Sequence, residues 1–276
     1  MSERNPDQPV AVGGAGLFEW LRRASLEDIV SPARHSEDFN GSRAEYIYLR
    51  VRLLAFVFAA LSPLWIPIDY VRLDGHDFRA LLSMRLLFSG LFLLLALWRA
   101  RPYSMALARW RLLFLTVIPG LFYVGSRVVL GALPQAGVLA GYSFLPYLMV
   151  VLMAIFPLAL IEGAAFAVVV GLPMVVVEAL NGTLFSVPTL GNLWLLGLLA
   201  GIAVWAQLSQ LHMLLRLYRE ATRDALTGLV NRRSLFKWLD VELGALRARD
   251  GNLSVMLFDL DLFKRVNDTY GHIMGD

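Results

Sequence analysis

Six apolar runs follow one another between residues 53 and 212, at about 53–69, 80–98, 112–131, 137–159, 163–180 and 191–212. Each approaches the roughly 20 residues that a helix needs to cross a hydrocarbon core. The pattern predicts an α-helical membrane bundle of six transmembrane helices. Beyond it the spacing changes. Leu208, Leu211, Leu215, Tyr218 and Thr222 recur three and four apart, as in a coiled-coil seam. No Pro or Gly interrupts Ile202 to Thr227, so one continuous helix is expected to leave the bilayer and pair with a second copy. An ordinary amphipathic helix end is the other reading. Gly228 then breaks the helix and Asn231 is placed to cap the next one. Leu235, Leu239, Glu242 and Leu246 follow at helical spacing, the leucines read as core packing. After a turn at 249–252, Ser254 to Phe258 reads as a buried strand leading into Asp259, Leu260 and Asp261. Leu17 to Val30 suits either a short amphipathic helix on the inner membrane surface or a loosely ordered tail.

Composition agrees with a bilayer. The 276 residues are 58% hydrophobic and 17% charged, against about 45–50% and about 25% in soluble domains. Lys237 and Lys264 are the two lysines, and the other basic residues are arginines. Many of them flank the apolar runs, which points to topology and not to nucleic-acid binding. Arg99, Arg101, Arg109 and Arg111 share one loop region without an acid. Arg43, Arg50 and Arg52 precede the first span, and Arg216, Arg219 and Arg223 follow the sixth. The positive-inside rule and an even span count then place both termini in the cytoplasm. The absence of cysteine excludes disulfides, thiol catalysis and Cys-ligated metals. Residues 1–40 lack the apolar core of a secretory signal.

Within the spans, Pro63, Pro67, Pro119, Pro146, Pro157 and Pro173 are expected to kink helices and free carbonyls that neighbours must satisfy. Asp69, Arg85, Arg127 and Glu178 sit near the outer ends. Charges there are costly, so they pair or line a cavity. Two readings stand: a polar pocket with Tyr123 and Tyr142 that takes an outer-side small ligand, or structural pairing and snorkelling.

The tail carries candidate chemistry. A carboxylate at a strand end, Asp259, is well placed for a hard cation such as Mg²⁺. Lys264 can meet a phosphate, and Asn267, His272 and Asp276 offer groups for hydrogen-bonding a nucleotide. A strand followed by a charged, solvated turn explains the same residues.

Two blocks, DALTGLVNRR from Asp224 and FDLDLFKRVNDTYGHIMGD from Phe258, narrow the choice. In content and order they resemble the opening of a GGDEF-type diguanylate cyclase domain, an α/β fold. The apolar region resembles the membrane sensor modules of such enzymes in architecture alone. The implied organisation is a tail (1–52), a six-helix sensor (53–212), a signalling helix (213–223) and a partial GGDEF domain (224–276). The resemblance implies a bacterial inner-membrane enzyme that condenses two GTP into cyclic di-GMP across a homodimer, with Mg²⁺. It also implies roles. Asp259 and the Leu260 carbonyl would ligate metal. Phe263 and Lys264 would lie against the phosphates, with Lys264 stabilising the transition state. Asn267 and Asp276 would bind guanine, and His272 would sit near the substrate. Asp224, Thr227, Asn231 and Arg232 would belong to the joint that transmits the signal. The GGDEF or GGEEF loop does not occur in these 276 residues, so this polypeptide is expected not to cyclise GTP by itself. A non-catalytic membrane sensor that acts through partners is the alternative, and a small transporter ranks last.

Overall fold

The computed structural model describes residues 30–32, 35–99, 103–131, 141–224, 226–249, 252–259 and 261–270. The chain divides into two compact units, Met1–Leu214 and Leu215–Asp276.

The first unit is helical. Ser36 opens α1 (Glu37–Leu61) by accepting the Phe39 N–H, and Glu37 and Asp38 complement the positive end of the helix dipole. Pro63 cannot donate into the helical ladder, and Ser62–Trp65 tightens into a 3₁₀ turn before α2 (Ile66–Arg72). Leu73 and Asp74 connect α2 to α3 (Gly75–Leu97). Ser104 caps α4 (Met105–Leu130), which packs against α1, α3, α5 (Leu145–Met153) and α6 (Leu160–Leu180). The inward residues of α1, among them Ile47, Val51 and Ala55, repeat three and four apart. They meet Leu81, Phe88 and Phe92 of α3 and Leu112 and Leu115 of α4 in one core. Gly120 of α4 lies against Pro173 of α6, where a Cβ would come within 2.8 Å of the proline ring. Leu94, Val128, Val168 and Trp194 remain exposed on the outside. So apolar a periphery calls for a lipid environment.

Among the described residues, five helical stretches are long and apolar enough to cross a membrane: Glu37–Arg72, Gly75–Leu97, Met105–Leu130, Leu160–Leu180 and Val187–Thr222. At 137–159 the described residues do not form one long helix. There the apolar helix covers Gly141–Met153, about 20 Å at 1.5 Å per residue, against a core of about 30 Å. Residues 132–140 lie outside the described residues. Pro157 disfavours helical geometry at the residue before it, and the chain turns through Ala154 to Phe156 instead. Hydropathy registers apolar composition and not backbone path, so the break was invisible to it.

The last long helix, α7 (Val187–Thr222), has 36 residues and spans about 54 Å, more than a bilayer core. It ends at Thr222 and not at Gly228. Along the expected seam, Leu211 and Leu215 are already buried within one chain, while Met213 and Leu217 are exposed.

In the second unit α8 (Arg232–Arg249) and α9 (Phe263–Tyr270) follow. Two expectations fail here. Leu235 is exposed and Leu239 and Leu246 only half-buried, so the leucine stripe of α8 packs no core among the described residues. Residues 252–259 form no strand, and Leu257 is 95% exposed. A strand needs a neighbour for its N–H and C=O groups, and none is present among the described residues. The α/β start is therefore represented by helices alone. The expected helix at 17–30 lies outside the described residues up to position 29.

Candidate functional site

Three sets of polar side chains are built into the membrane unit. In the first, Glu162 sits in the first turn of α6. It accepts Nη2 of Arg43 from α1 and Nε of Arg109 from α4 at 2.9 Å. The same carboxylate reaches back to the Ala159 N–H at 3.1 Å, which closes the helix start. Arg43 is 0% exposed, and its Nε donates to the Pro157 carbonyl at 2.7 Å. Gln207 of α7 donates to the Met153 carbonyl at 3.0 Å. The break between α5 and α6 is thus buried, and Arg43, Glu162 and Gln207 satisfy three of its backbone groups. Irregular backbone at membrane depth needs such partners. Sequence reasoning used Arg43 and Arg109 only for topology and passed over Glu162 and Gln207. The available signal was a lone acid beside Pro157 in an apolar run.

In the second set, Arg85 of α3 donates to Asp69 Oδ2 through Nε at 3.0 Å and Nη2 at 2.8 Å. Its Nη2 also donates to the Tyr142 hydroxyl at 2.8 Å, and its Nη1 to the Ser62 carbonyl at 3.3 Å. Tyr142 donates to Asp69 Oδ1. In the third, Arg127 pairs with Glu178 at 3.7 Å, and Thr183 and Thr189 donate to Glu178 Oε2. The four expected charges therefore form two ion pairs. An adjacent cavity of about 330 Å³ is lined by Arg85 and Tyr142 but not by Arg127, Glu178 or Tyr123, and its wall is mostly apolar. The charges pair, as the second reading expects, and one pair borders this mostly apolar cavity.

Arg111 is also enclosed, with its guanidinium 4.1 Å from the Tyr48 ring centroid and 4.9 Å from that of Trp98. Aromatic faces stand in for a carboxylate there.

The joint is a compact hydrogen-bonded turn. Arg223 and Val230 form an antiparallel bridge, and Asp224 N–H donates to the Leu229 carbonyl at 2.8 Å. Asp224 Oδ1 accepts from Leu226 N, Thr227 N and Thr227 Oγ1 at 3.2, 3.0 and 2.9 Å. These donors, the Thr227 N–H foremost, hold the Asp224 carboxyl below its usual range. Gly228 has φ +69°, a conformation that suits glycine. Asn231 Oδ1 accepts the Ser234 N–H at 2.9 Å, as expected of a cap, while its Nδ2 donates to the Ala221 carbonyl at 2.8 Å. One side chain thus closes the end of α7 and the start of α8. Asn231→Ala is expected to cost about 1 kcal/mol and to fray both helix ends, read as faster amide exchange at Ser234. Because the Asp224 pKa is depressed, its contribution is present above the unfolded pKa and lost as pH falls through the folded one. Protection of the Thr227 amide should hold at neutral pH and fade in that acid window. Asp224→Asn should weaken it already at pH 7.

The candidate nucleotide residues are arranged more openly. Asp259 is exposed and precedes the turn that opens α9. Asp261 and Leu262 form a turn, with Leu262 at φ 59° and the Arg265 N–H donating to its carbonyl at 2.9 Å. Phe263 and Lys264 begin α9 and are exposed. Asn267 lies one turn after Phe263, with only its backbone described. Leu260, His272 and Asp276 lie outside the described residues. Asp259, Phe263 and Lys264 thus lie within six positions of one another, around the turn that opens α9. No group of three metal-ligating side chains occurs among the described residues. The donor chemistry still suits Mg²⁺, which binds through one or two carboxylates together with substrate phosphates.

Residues 221–276 match the family model for the diguanylate cyclase GGDEF domain, so a partial GGDEF domain stands at the end of the chain. Over 53 residues the chain is 53% identical to diguanylate cyclase DgcZ of Escherichia coli, covering 19% of this chain and 17% of that protein. It is 41% identical over 58 residues to diguanylate cyclase DgcP of Pseudomonas aeruginosa, 21% of this chain and 9% of that protein. It is 43% identical over 74 residues to the cyclic di-GMP phosphodiesterase NbdA of Pseudomonas aeruginosa, 27% of this chain and 9% of that protein. The chain spans less than a fifth of the length of each of these relatives. No solved structure matches it.

Proposed function

We propose that this chain is the membrane and signal-transmitting part of a diguanylate cyclase, together with the opening of its catalytic domain. The observation that carries the reading is the match of residues 221–276 to the GGDEF family, supported by five long apolar helices ahead of it. In the reaction, the 3′-oxygen of each GTP attacks the α-phosphorus of the other. Two P–O bonds form, two break, and two pyrophosphates leave. Asp259 and the Leu260 carbonyl would hold Mg²⁺, which would supply Lewis-acid stabilisation of phosphoryl charge. Lys264 places a positive charge where negative charge grows on the phosphoryl oxygens. Phe263 packs beside the phosphates. Asn267 and Asp276 recognise the guanine edge, and His272 lies near the substrate. Two GTP in one product require two catalytic domains, so the working form is a homodimer joined through α7 and the cyclase domains. With Leu211 and Leu215 buried in a single chain, Met213 and Leu217 are the free apolar positions for that pairing. The enzyme acts at the bacterial inner membrane, its catalytic end in the cytoplasm.

The test is a chimera. Residues 224–276 replace the matched segment of Escherichia coli DgcZ, and cyclic di-GMP is measured after GTP and Mg²⁺ are added. The chimera is expected to form product. Lys264→Ala in it should cost about 10²-fold or more in kcat, and Asp259→Ala a comparable factor. An inactive but folded chimera, or one indifferent to Asp259→Ala, sinks the assignment. The match to a phosphodiesterase keeps a second reading alive, in which the segment serves a non-catalytic sensor. That reading predicts the inactive outcome.

A further inference from the structure

The cavity beside the Asp69–Arg85 pair has the chemistry of a binding site. Its volume of about 330 Å³ falls at the lower end of small-ligand pockets. Three features define what would fit. First, charge is balanced: Arg85 and Asp69 are both buried and neutralise each other. A charged ligand would bring an unpaired charge against a mostly apolar wall, at high cost. Second, hydrogen-bonding capacity is left over at one end. A guanidinium carries five N–H groups, and Arg85 uses four, on Asp69 twice, on Tyr142 and on the Ser62 carbonyl. Ser62 Oγ is buried with no partner, although a buried hydroxyl ordinarily has one. Both residues line the cavity, so two donors await one acceptor. Third, a train of rings runs along the wall. Phe58 stands edge-on to Phe88 at 6.3 Å, Phe88 lies 4.9 Å from Phe122, and Phe122 lies 6.1 Å from Tyr142. Such a wall favours an aromatic body.

We infer that this cavity binds a neutral aromatic carbonyl compound, a diaryl ketone or a quinone. Its oxygen accepts from Arg85 Nη1 and Ser62 Oγ, and its rings lie along Phe88 and Phe122. The site lies wholly within the membrane unit and does not depend on the cyclase assignment.

The test uses the full chain in lipid nanodiscs with tritiated benzophenone, whose carbonyl is both the recognised group and the photoreactive one. Labelling on illumination is expected to saturate and to map to peptides from α1, the Ser62–Trp65 turn and α3. Excess 1,4-naphthoquinone should remove it. Naphthalene, with the same ring shape and no oxygen, should compete at least tenfold more weakly. Ser62→Ala should weaken binding about fivefold, the worth of one hydrogen bond. Its hydroxyl makes no bond in the protein, so the variant keeps the fold, checked by its elution profile. Leu148→Trp, which fills the cavity, should abolish the saturable labelling. Three outcomes overturn the proposal: labelling spread over all lipid-facing helices without saturation, equal competition by naphthalene, or unchanged affinity in Ser62→Ala.

Discussion

Glu162→Gln is expected to destabilise the membrane unit by about 3 kcal/mol, read as a lower thermal midpoint of the detergent-solubilised protein. The carboxylate serves two arginines and a helix start at once. Removing its charge leaves Arg43, which is fully buried, without a counter-ion. Breaking a buried pair in this way costs about 3–5 kcal/mol in soluble proteins. The lower end applies here, because a chain unfolded within the membrane also finds polar partners. Arg109 contributes less to the loss, since its side chain is 45% exposed and can reach toward polar surroundings. The double variant Glu162→Gln/Arg43→Met separates charge from packing. It should recover part of the stability, because the orphaned cation is gone. Recovery stays incomplete, because the Pro157 carbonyl loses its donor. If Glu162→Gln shifts stability by less than about 0.5 kcal/mol, the hub holds no such pair.

The same hub shows where sequence reasoning reached its limit. The long apolar helices were legible because hydropathy needs only composition over about 20 residues. The broken helix was not, because its signal is a geometric conflict at Pro157 resolved by residues far away in sequence. Arg43 and Gln207 lie 114 and 54 positions from the carbonyls they satisfy. The pairing of Asp69 with Arg85 was within reach, since an intramembrane charge demands a partner. Which partner, and that Tyr142 would join, depended on tertiary packing. In the second unit the cap at Asn231 was readable from local chemistry, because the bond to Ser234 spans three residues. The strand at Ser254–Phe258 and the core stripe of α8 were read from apolar pattern. Both need neighbours that the described residues do not provide. The nucleotide residues were found through motif order, which carries family identity but no geometry.

Asp69→Asn is expected to cost about as much as Glu162→Gln, and Arg85→Lys somewhat less. The contrast tests what the second cluster is built on. Asp69→Asn keeps shape and an acceptor for Tyr142 but leaves the Arg85 charge buried and unpaired, at about 3 kcal/mol. Arg85→Lys keeps the charge and loses the planar fork that meets Asp69, Tyr142 and the Ser62 carbonyl together. A lysine has three donors on one nitrogen and cannot reach all three directions, so about 2 kcal/mol is expected from the lost bonds. The Ser62 carbonyl matters most in that comparison. It opens the 3₁₀ turn at Pro63, and Arg85 donates to it from α3 at 3.3 Å, while Ser89 Oγ donates at 2.7 Å to the Ala59 carbonyl that Pro63 leaves without a helical donor. Arg85→Lys should therefore increase exchange or cleavage at the α1–α2 turn, whereas Asp69→Asn should lower the midpoint without loosening the turn first. Equal thermal midpoints for wild type and Arg85→Lys would show that charge alone holds the cluster. The turn would then owe its geometry to Pro63 and Pro67 and not to the arginine.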